Sequence, residues 1–303
     1  MIRTWPVTEE LVGQRTDSTL ALLTGLSRAV CADLVDQNRV TVNQKVAQKS
    51  TRLAFGDVLE VELPDPDAVN EEPTVDLPIV YQDDDLVVID KPAGVAAHPS
   101  VGWAGPSVTG SLTAMGIVLT AYGPDERKGI VHRLDVGTSG LMMLAKSERA
   151  YVDLKDQFRD RKVEKEYHTL VQGRLDPSSG TIDAPIDRHP SSSYRFAVMS
   201  SGRPSITHYD TLEAFAYASL LSVHLETGRT HQIRVHMSAL RHPCCGDLTY
   251  GADPTLAAKL KLDRQWLHAV QLGFTHPGTG EHISFTSEYA PELARALDIA
   301  RDL

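Results

Sequence analysis

Three short segments hold the residues best suited to chemistry. The first, GIVHRLDVGTSGLMMLAK (129–146), passes from Ile130 and Val131 into His132, Arg133 and Asp135. A Gly137–Thr138–Ser139–Gly140 turn and a strand follow. A carboxylate beside an arginine, at a turn where glycine allows close approach, suits a nucleophile or a general base. The same aspartate could instead cap the turn. The second segment, LETGRTHQIRVHM (225–237), holds Arg229, His231, Arg234 and His236. A planar guanidinium at Arg234 can pair with a carboxylate or hold a phosphate bidentately. The third, KVEKEYHTLVQG (162–173), opens a strand with Tyr167 after Lys162, Glu164, Lys165 and Glu166. A tyrosine at a basic margin can stack on a base, or it can be an ordinary strand aromatic.

Other chemistries lack their patterns. His231 and His236 are five apart, not the four that puts two ligands on one helix face. There is no H-E-x-x-H and no paired-cysteine motif, and Cys244 and Cys245 are adjacent, so no metal site is expected. A metal-dependent hydrolase built on His132, His231 and His236 fails on spacing. No phosphate loop, dinucleotide fingerprint or nucleophile elbow is present.

The elements that must position these residues are legible in part. In the large C-terminal region, strand patterns run over 86–90, 141–146, 166–172, 205–215, 219–227 and 281–286. A helix begins at Ser147 with Tyr151, Leu154 and Phe158 on its apolar side. A second helix over 230–240 puts Ile233, Met237 and Leu240 on one stripe. In the N-terminal region, Ser27 caps a short helix with Val30, Cys31, Leu34 and Val35 on one face. Val40 and Val42 then read as a strand. Leu53, Phe55, Val58, Val61 and Leu63 form a further apolar pattern about a Gly56–Asp57 turn. Strands and helices without strict βαβ alternation predict an α+β fold with a mixed, mostly antiparallel sheet and flanking helices, plus a small N-terminal α/β unit. An acidic, proline-bearing linker at 64–78 separates the small unit (14–63) from the large one (79–303).

Composition limits the rest. With 303 residues, 42% apolar and 23% charged, the chain is of ordinary globular type and long enough for about two domains. No run approaches the ~18 apolar residues of a membrane span, and the N-terminus lacks a signal core. Three cysteines make no disulfide framework and fit a cytoplasmic location. A net charge of -10 argues at first against nucleic acid. Yet eight acids with no Lys or Arg sit in 64–85, while 127–169 holds ten Lys or Arg against seven acids. Steering of a polyanion depends on this local field.

In order and spacing, HRLDVGTSGLMMLAK, KVEKEYHTLV and LETGRTHQIRVHM together resemble the signature segments of the RluA/RluD-type RNA pseudouridine synthases. DDLVVIDKPAGVAAHP (84–99), APIDRHP (184–190), HPCCGDLTYG (242–251) and QWLHAVQLGFTHP (265–277) resemble that family as well. The small unit resembles the S-four RNA-binding domain through Arg15, Asp17, Leu26–Ser27–Arg28, Leu34–Val35, Val40–Asn43 and Gly56–Asp57. It departs from that pattern at Asn38, where glycine is common, and at Gln44.

The resemblance implies an isomerase, an intramolecular transferase. Uracil leaves its ribose, turns, and is rejoined through carbon 5, with neither ATP nor redox and therefore no cofactor. The implied catalytic residues are Asp135, Tyr167 and Arg234. Asp135 is the carboxylate that must stay ionised where water is excluded, and an adjacent cation favours that form. Arg234 matches the basic residue that pairs with it. Tyr167 matches the active-site tyrosine, which stacks on the target base and can move a proton. Substrate-binding positions are Arg133, His132, Ile233, Arg229 and His231. Ile233 lies across the base, Arg133 occupies the space a flipped base vacates, and His132 supports the loop. Arg159, Arg161, Lys162 and Lys165 are phosphate contacts or a solvated helix end. The implied partner is RNA, large-subunit ribosomal RNA or a pre-ribosomal particle, bound by a monomer without metal or membrane. Action on tRNA and a catalytically silent RNA-binding or ribosome-assembly protein are the alternatives.

Overall fold

The computed structural model describes residues 2–26, 28–63, 73–99, 103–124, 127–192 and 194–303. Contacts divide the chain into two compact units, Met1–Glu71 and Glu72–Leu303. Ser27, expected as a helix cap, and residues 64–72 of the expected linker lie outside the described residues.

The small unit begins before residue 14, where the sequence reading places its start. Strand β1 (Ile2–Pro6) precedes helices α1 (Thr16–Thr24) and α2 (Arg28–Asp36) and strands β2 (Val40–Val42), β3 (Lys45–Val46) and β4 (Val58–Glu62). The strands order as β1-β4-β2-β3, and β1 pairs antiparallel with β4. Gly25, at φ 75°, ends α1 in the left-handed conformation that glycine adopts without a Cβ penalty. Cys31, Leu34 and Val35 of α2 are buried with Leu20, Val40, Leu59 and Val61, as the apolar face of that helix requires. Phe55 departs from its expected place in the apolar pattern: it is 70% exposed beside the Gly56 turn. Asn38 and Gln44, the two unusual positions, both have positive φ (57° and 65°). Asparagine tolerates that region well and glutamine less so.

The large unit is α+β, as expected, and is built on one mixed sheet. Its elements run β5 (Ile79–Gln82), β6 (Leu86–Lys91), α3 (Val108–Ala114), β7 (Ser139–Ala145), α4 (Glu148–Arg159), β8 (Glu164–Gln172) and β9 (Ser179–Asp183). A short hairpin, β10 (Ile186–Arg188) and β11 (Phe196–Val198), precedes β12 (Ile206–Ala214), β13 (Ala218–Leu225) and α5 (Gln232–Ala239). The chain ends with α6 (Pro254–Lys259), β14 (Leu267–Thr275), β15 (His282–Thr286) and α7 (Pro291–Asp302). The sheet order is β5-β6-β7-β14-β8-β13-β12-β9, with β15 also beside β14. Every pairing in it is antiparallel except β7 with β14, which joins Ser139 to His268 and Gly140 to Ala269. Residues 73–78, expected as linker, belong to this unit. Leu77 is 3% exposed, and the Val75 N–H donates to Ser111 Oγ at 3.2 Å.

Side chains alternate across a strand, so β6 and β7 feed two cores. Val87, Ile89, Met142 and Leu144 join Leu112 of α3 and Ile233 and Met237 of α5. Leu86, Val88, Leu141 and Met143 face the other way and pack with Leu154 of α4. Farther along that second face, Leu293, Ala296 and Leu297 of α7 cover Leu170, Leu220 and Trp266. Each fully buried leucine is worth about 2 kcal/mol. Ser147 Oγ caps α4 by accepting from the Ala150 N–H at 3.1 Å, a bond that contributes about 1 kcal/mol. Helix α5 is not the amphipathic stripe that periodicity suggests. Gln232 through Met237 are all buried, while Leu240 is 38% exposed.

Candidate active site

Asp135 sits in the loop that enters β7, and three separate supports hold that loop. Its own backbone carbonyl accepts the Thr138 N–H at 3.0 Å, closing the turn. Lys91, fully buried at the end of β6, donates from Nζ to the carbonyls of Pro92 (2.9 Å), Val95 (2.9 Å) and Val136 (3.3 Å). Burial pushes its pKa down to about 7, against the attraction of Asp135. Arg264 donates to the Gly137 carbonyl at 2.9 Å and to Ser139 Oγ at 3.0 Å. A Cβ on Gly137 would lie 2.6 Å from Gln265 Oε1, so any side chain there would have to displace that buried carboxamide.

Arg234 comes from α5, whose entry is tied down by Gln232. The Gln232 carboxamide accepts from the Arg229 N–H and Thr227 Oγ1 and donates to the Ile206 carbonyl and Thr207 Oγ1. This brings Arg234 Nη1 to 3.4 Å from Asp135 Oδ2. The guanidinium also makes a bidentate pair with Asp247, Nε to Oδ2 at 2.6 Å and Nη2 to Oδ1 at 2.9 Å. The Tyr250 ring lies 4.9 Å from its centre. The two carboxylates outweigh the burial of the guanidinium, and its pKa rises.

Tyr167 is on β8, between β13 and β14, and is 8% exposed. Burial, with a contribution from the Asp135 charge, raises its pKa, so the phenol stays protonated. His231 enters α5 with a left-handed backbone (φ 57°). Its Nδ1 meets the Tyr250 hydroxyl at 2.8 Å and its Nε2 lies 3.9 Å from Asp135 Oδ2. Burial lowers the His231 pKa, opposed by Asp135.

All eight residues singled out from the sequence line one cavity of about 450 Å³: His132, Arg133, Asp135, Tyr167, Arg229, His231, Ile233 and Arg234. Arg133 is exposed at its edge, and Ile233 is 4% exposed in its wall. Arg229 turns its Nε to the Pro204 carbonyl at 3.2 Å. Lys155, Arg159 and Lys165 also line the cavity, so among the described residues six Lys or Arg face two acids there, Asp135 and Glu226. This locally positive field sits in a chain of net charge -10. Of the four proposed phosphate contacts, Arg161 pairs with Glu226, and Arg159 and Lys162 pair with Asp160. Lys165 rests over the Phe158 ring at 5.4 Å and faces the cavity.

The three histidines weighed as metal ligands have separate partners. His132 Nε2 accepts from the Met143 N–H, His231 meets Tyr250, and His236 meets Thr207 Oγ1 and the Ala184 carbonyl. Cys244 and Cys245 are buried free thiols, and burial pushes the Cys244 pKa up to about 12. Sequence reasoning missed Lys91, Asp247, Tyr250 and Arg264. The first three lie in segments that carry the family resemblance. A lysine ending an apolar strand run was the local signal for Lys91.

Residues 85–239 match the family described as RNA pseudouridylate synthase, and residues 14–59 match the S4 domain. An uncharacterised RNA pseudouridine synthase of Mycobacterium bovis is 57% identical over 302 residues, which is 99% of this chain and 98% of that protein. The chain belongs to the RNA pseudouridylate synthase family. This synthase is an isomerase that converts uridine in RNA to pseudouridine, and it is of the RluA/RluD type. The ribosomal large subunit pseudouridine synthase D of Nitrosomonas europaea is 39% identical to it over 98% of this chain and 87% of that protein. The solved structure of human RNA pseudouridylate synthase domain containing 1 matches the synthase with a TM-score of 0.59 at 27% identity. That match covers 78% of this chain and 90% of the human one. Among the described residues no helix is long and apolar enough to cross a membrane.

Proposed function

We propose that this synthase modifies uridines of large-subunit ribosomal RNA, free or in a pre-ribosomal particle, with Asp135 as its reacting carboxylate. The observation that carries the substrate is the 39% identity to the Nitrosomonas europaea large-subunit enzyme across 98% of this chain, both units included. The reaction breaks the bond between C1′ and N1 and forms one between C1′ and C5. The C5 proton leaves and N1 gains one, so the balance needs no oxidant, reductant or ATP. Asp135 supplies the ionised carboxylate beside sugar and base, with Arg234 as the cation 3.4 Å away.

The target uridine must leave its stack to reach this cavity, at a cost of a few kcal/mol. Tyr167, kept as a neutral phenol by burial, offers a stacking face for the base, with Ile233 across from it. Arg133, exposed at the rim, takes the place the base vacates. Arg229 and His231 contact the substrate, and His132 braces the loop. The small unit contributes RNA affinity. Three free, buried cysteines support a reducing, cytoplasmic setting, and the enzyme acts there as a monomer.

Pseudouridine mapping of total RNA from cells lacking the protein tests this, with complementation by wild type or Asp135→Asn. Large-subunit rRNA sites are expected to vanish and to return only with wild type. Loss of tRNA sites alone would keep the chemistry and overturn the substrate. Restoration by Asp135→Asn would overturn the role of Asp135.

A further inference from the structure

Arg234 has two carboxylates within reach, and they hold it unequally. Asp247 takes Nε and Nη2 at 2.6 and 2.9 Å, fork against fork, whereas Asp135 receives Nη1 alone at 3.4 Å. The bidentate geometry is the stronger and more directional of the two. Asp135 Oδ1 has no hydrogen bond among the described residues.

Asp247 is itself rigidly mounted. It is 3% exposed, its N–H donates to the Cys244 carbonyl at 3.0 Å, and its carbonyl accepts from the Tyr250 and Ala252 N–H groups. Gly246 before it has φ 82°, and a Cβ there would lie 2.1 Å from the Arg264 carbonyl oxygen, so only glycine fits at this point of the turn. Cys244 bridges to Val171 of β8, which ties this turn to the sheet that carries Tyr167.

We infer that Asp247 is a positioning residue: by taking the fork of Arg234, it presents one guanidinium N–H to Asp135 and stops Arg234 from closing a bidentate pair with it. A guanidinium without Asp247 would turn both arms onto Asp135 and engage both of its oxygens. The observed arrangement places positive charge beside Asp135 and leaves Oδ1 open to the substrate. The inference rests on Asp135 being the reacting carboxylate.

The test is a double-mutant cycle under single-turnover conditions, with Asp247→Asn, Arg234→Ala and the double variant. Asp247→Asn is expected to slow isomerisation on the order of a hundredfold, as for a misplaced catalytic group, with RNA affinity unchanged. In the Arg234→Ala background it is expected to cost nothing further. An equal cost in both backgrounds overturns the inference, because a purely structural role would not depend on Arg234. If Asp247→Asn does not fold, the side-chain Nε–H resonance of Arg234 decides in Asp135→Asn protein. Its protection from exchange is expected to persist there, and its loss would show that Asp135 holds the guanidinium. An active Asp135→Asn enzyme would refute the reading of Asp135 alone, since the resonance still reports on the clamp.

Discussion

His132 Nε2 accepts the backbone N–H of Met143 at 3.0 Å, so this imidazole must be unprotonated at that nitrogen in the folded protein. The ring stacks on Phe158 at 4.8 Å. Burial, reinforced by Lys165 and Lys155, pushes its pKa down to about 3. In the unfolded chain it titrates near 6.5. Between these values the unfolded state binds the extra proton, so stability is retained above about pH 6.5 and falls as pH drops towards 3. His132→Gln keeps an acceptor for Met143 and removes the proton. Urea unfolding between pH 7 and pH 4 should show the acid slope reduced by up to about 1.4 kcal/mol per pH unit. An unchanged slope would mean that His132 is protonated in the folded state.

Arg234→Ala is expected to damage catalysis more than RNA affinity, because Arg234 faces Asp135 from a buried position and not from the rim. It also strands Asp247, a buried carboxylate, without its partner. A loss of about 3–5 kcal/mol in unfolding free energy is expected. Single-turnover rates and RNA binding measured side by side check the first expectation, and chemical denaturation the second. A defect in affinity alone would contradict the pairing with Asp135.

Gly140→Ala is expected to destabilise the large unit by a few kcal/mol. At φ 110° a Cβ on this residue would lie 2.3 Å from the Ala269 carbonyl oxygen, in the one parallel contact of the sheet. Since β7 leads directly from the Asp135 loop, activity should fall with stability. A melting temperature equal to wild type would show that β7 and β14 separate freely.

Lys165→Ala is expected to weaken RNA binding and lower the salt slope of affinity by about 0.7–0.9, the share of one phosphate contact. Lys165 is the proposed phosphate ligand with no acidic partner among the described residues, and it faces the cavity. Arg161→Ala, by contrast, removes a residue already paired with Glu226 and should leave the slope near wild type. Titrations over a range of salt distinguish the two.

The strands around the site were legible because alternation is a local property. The patterns at 86–90, 166–172 and 219–227 correspond to β6, β8 and β13 within a residue or two. The Ser147 cap was legible for the same reason. Helix α5 was located correctly but misread in character. Its Gln232, Arg234 and His236 are polar and buried, and each is satisfied by a partner outside the helix. Periodicity counts polar residues as outward-facing and has no access to such partners. Phe55 failed in the opposite sense, since an apolar residue in a turn need not find a core.

What the sequence determined by itself was a set of candidate side chains and the family the chain belongs to, because motif order survives in one dimension. It also located Asp135 at the entry to a glycine-containing turn ahead of a strand. What only the tertiary structure decided was which charge holds which. Asp135 and Arg234 are 99 residues apart and meet at 3.4 Å, yet the arginine's stronger partner is Asp247, only 13 residues away. Lys91, anonymous at a strand end, is fully buried beneath the Asp135 loop with three carbonyls around its ammonium group. Ion-pair strength depends on distance, geometry and burial in space, and none of these is encoded in spacing along the chain.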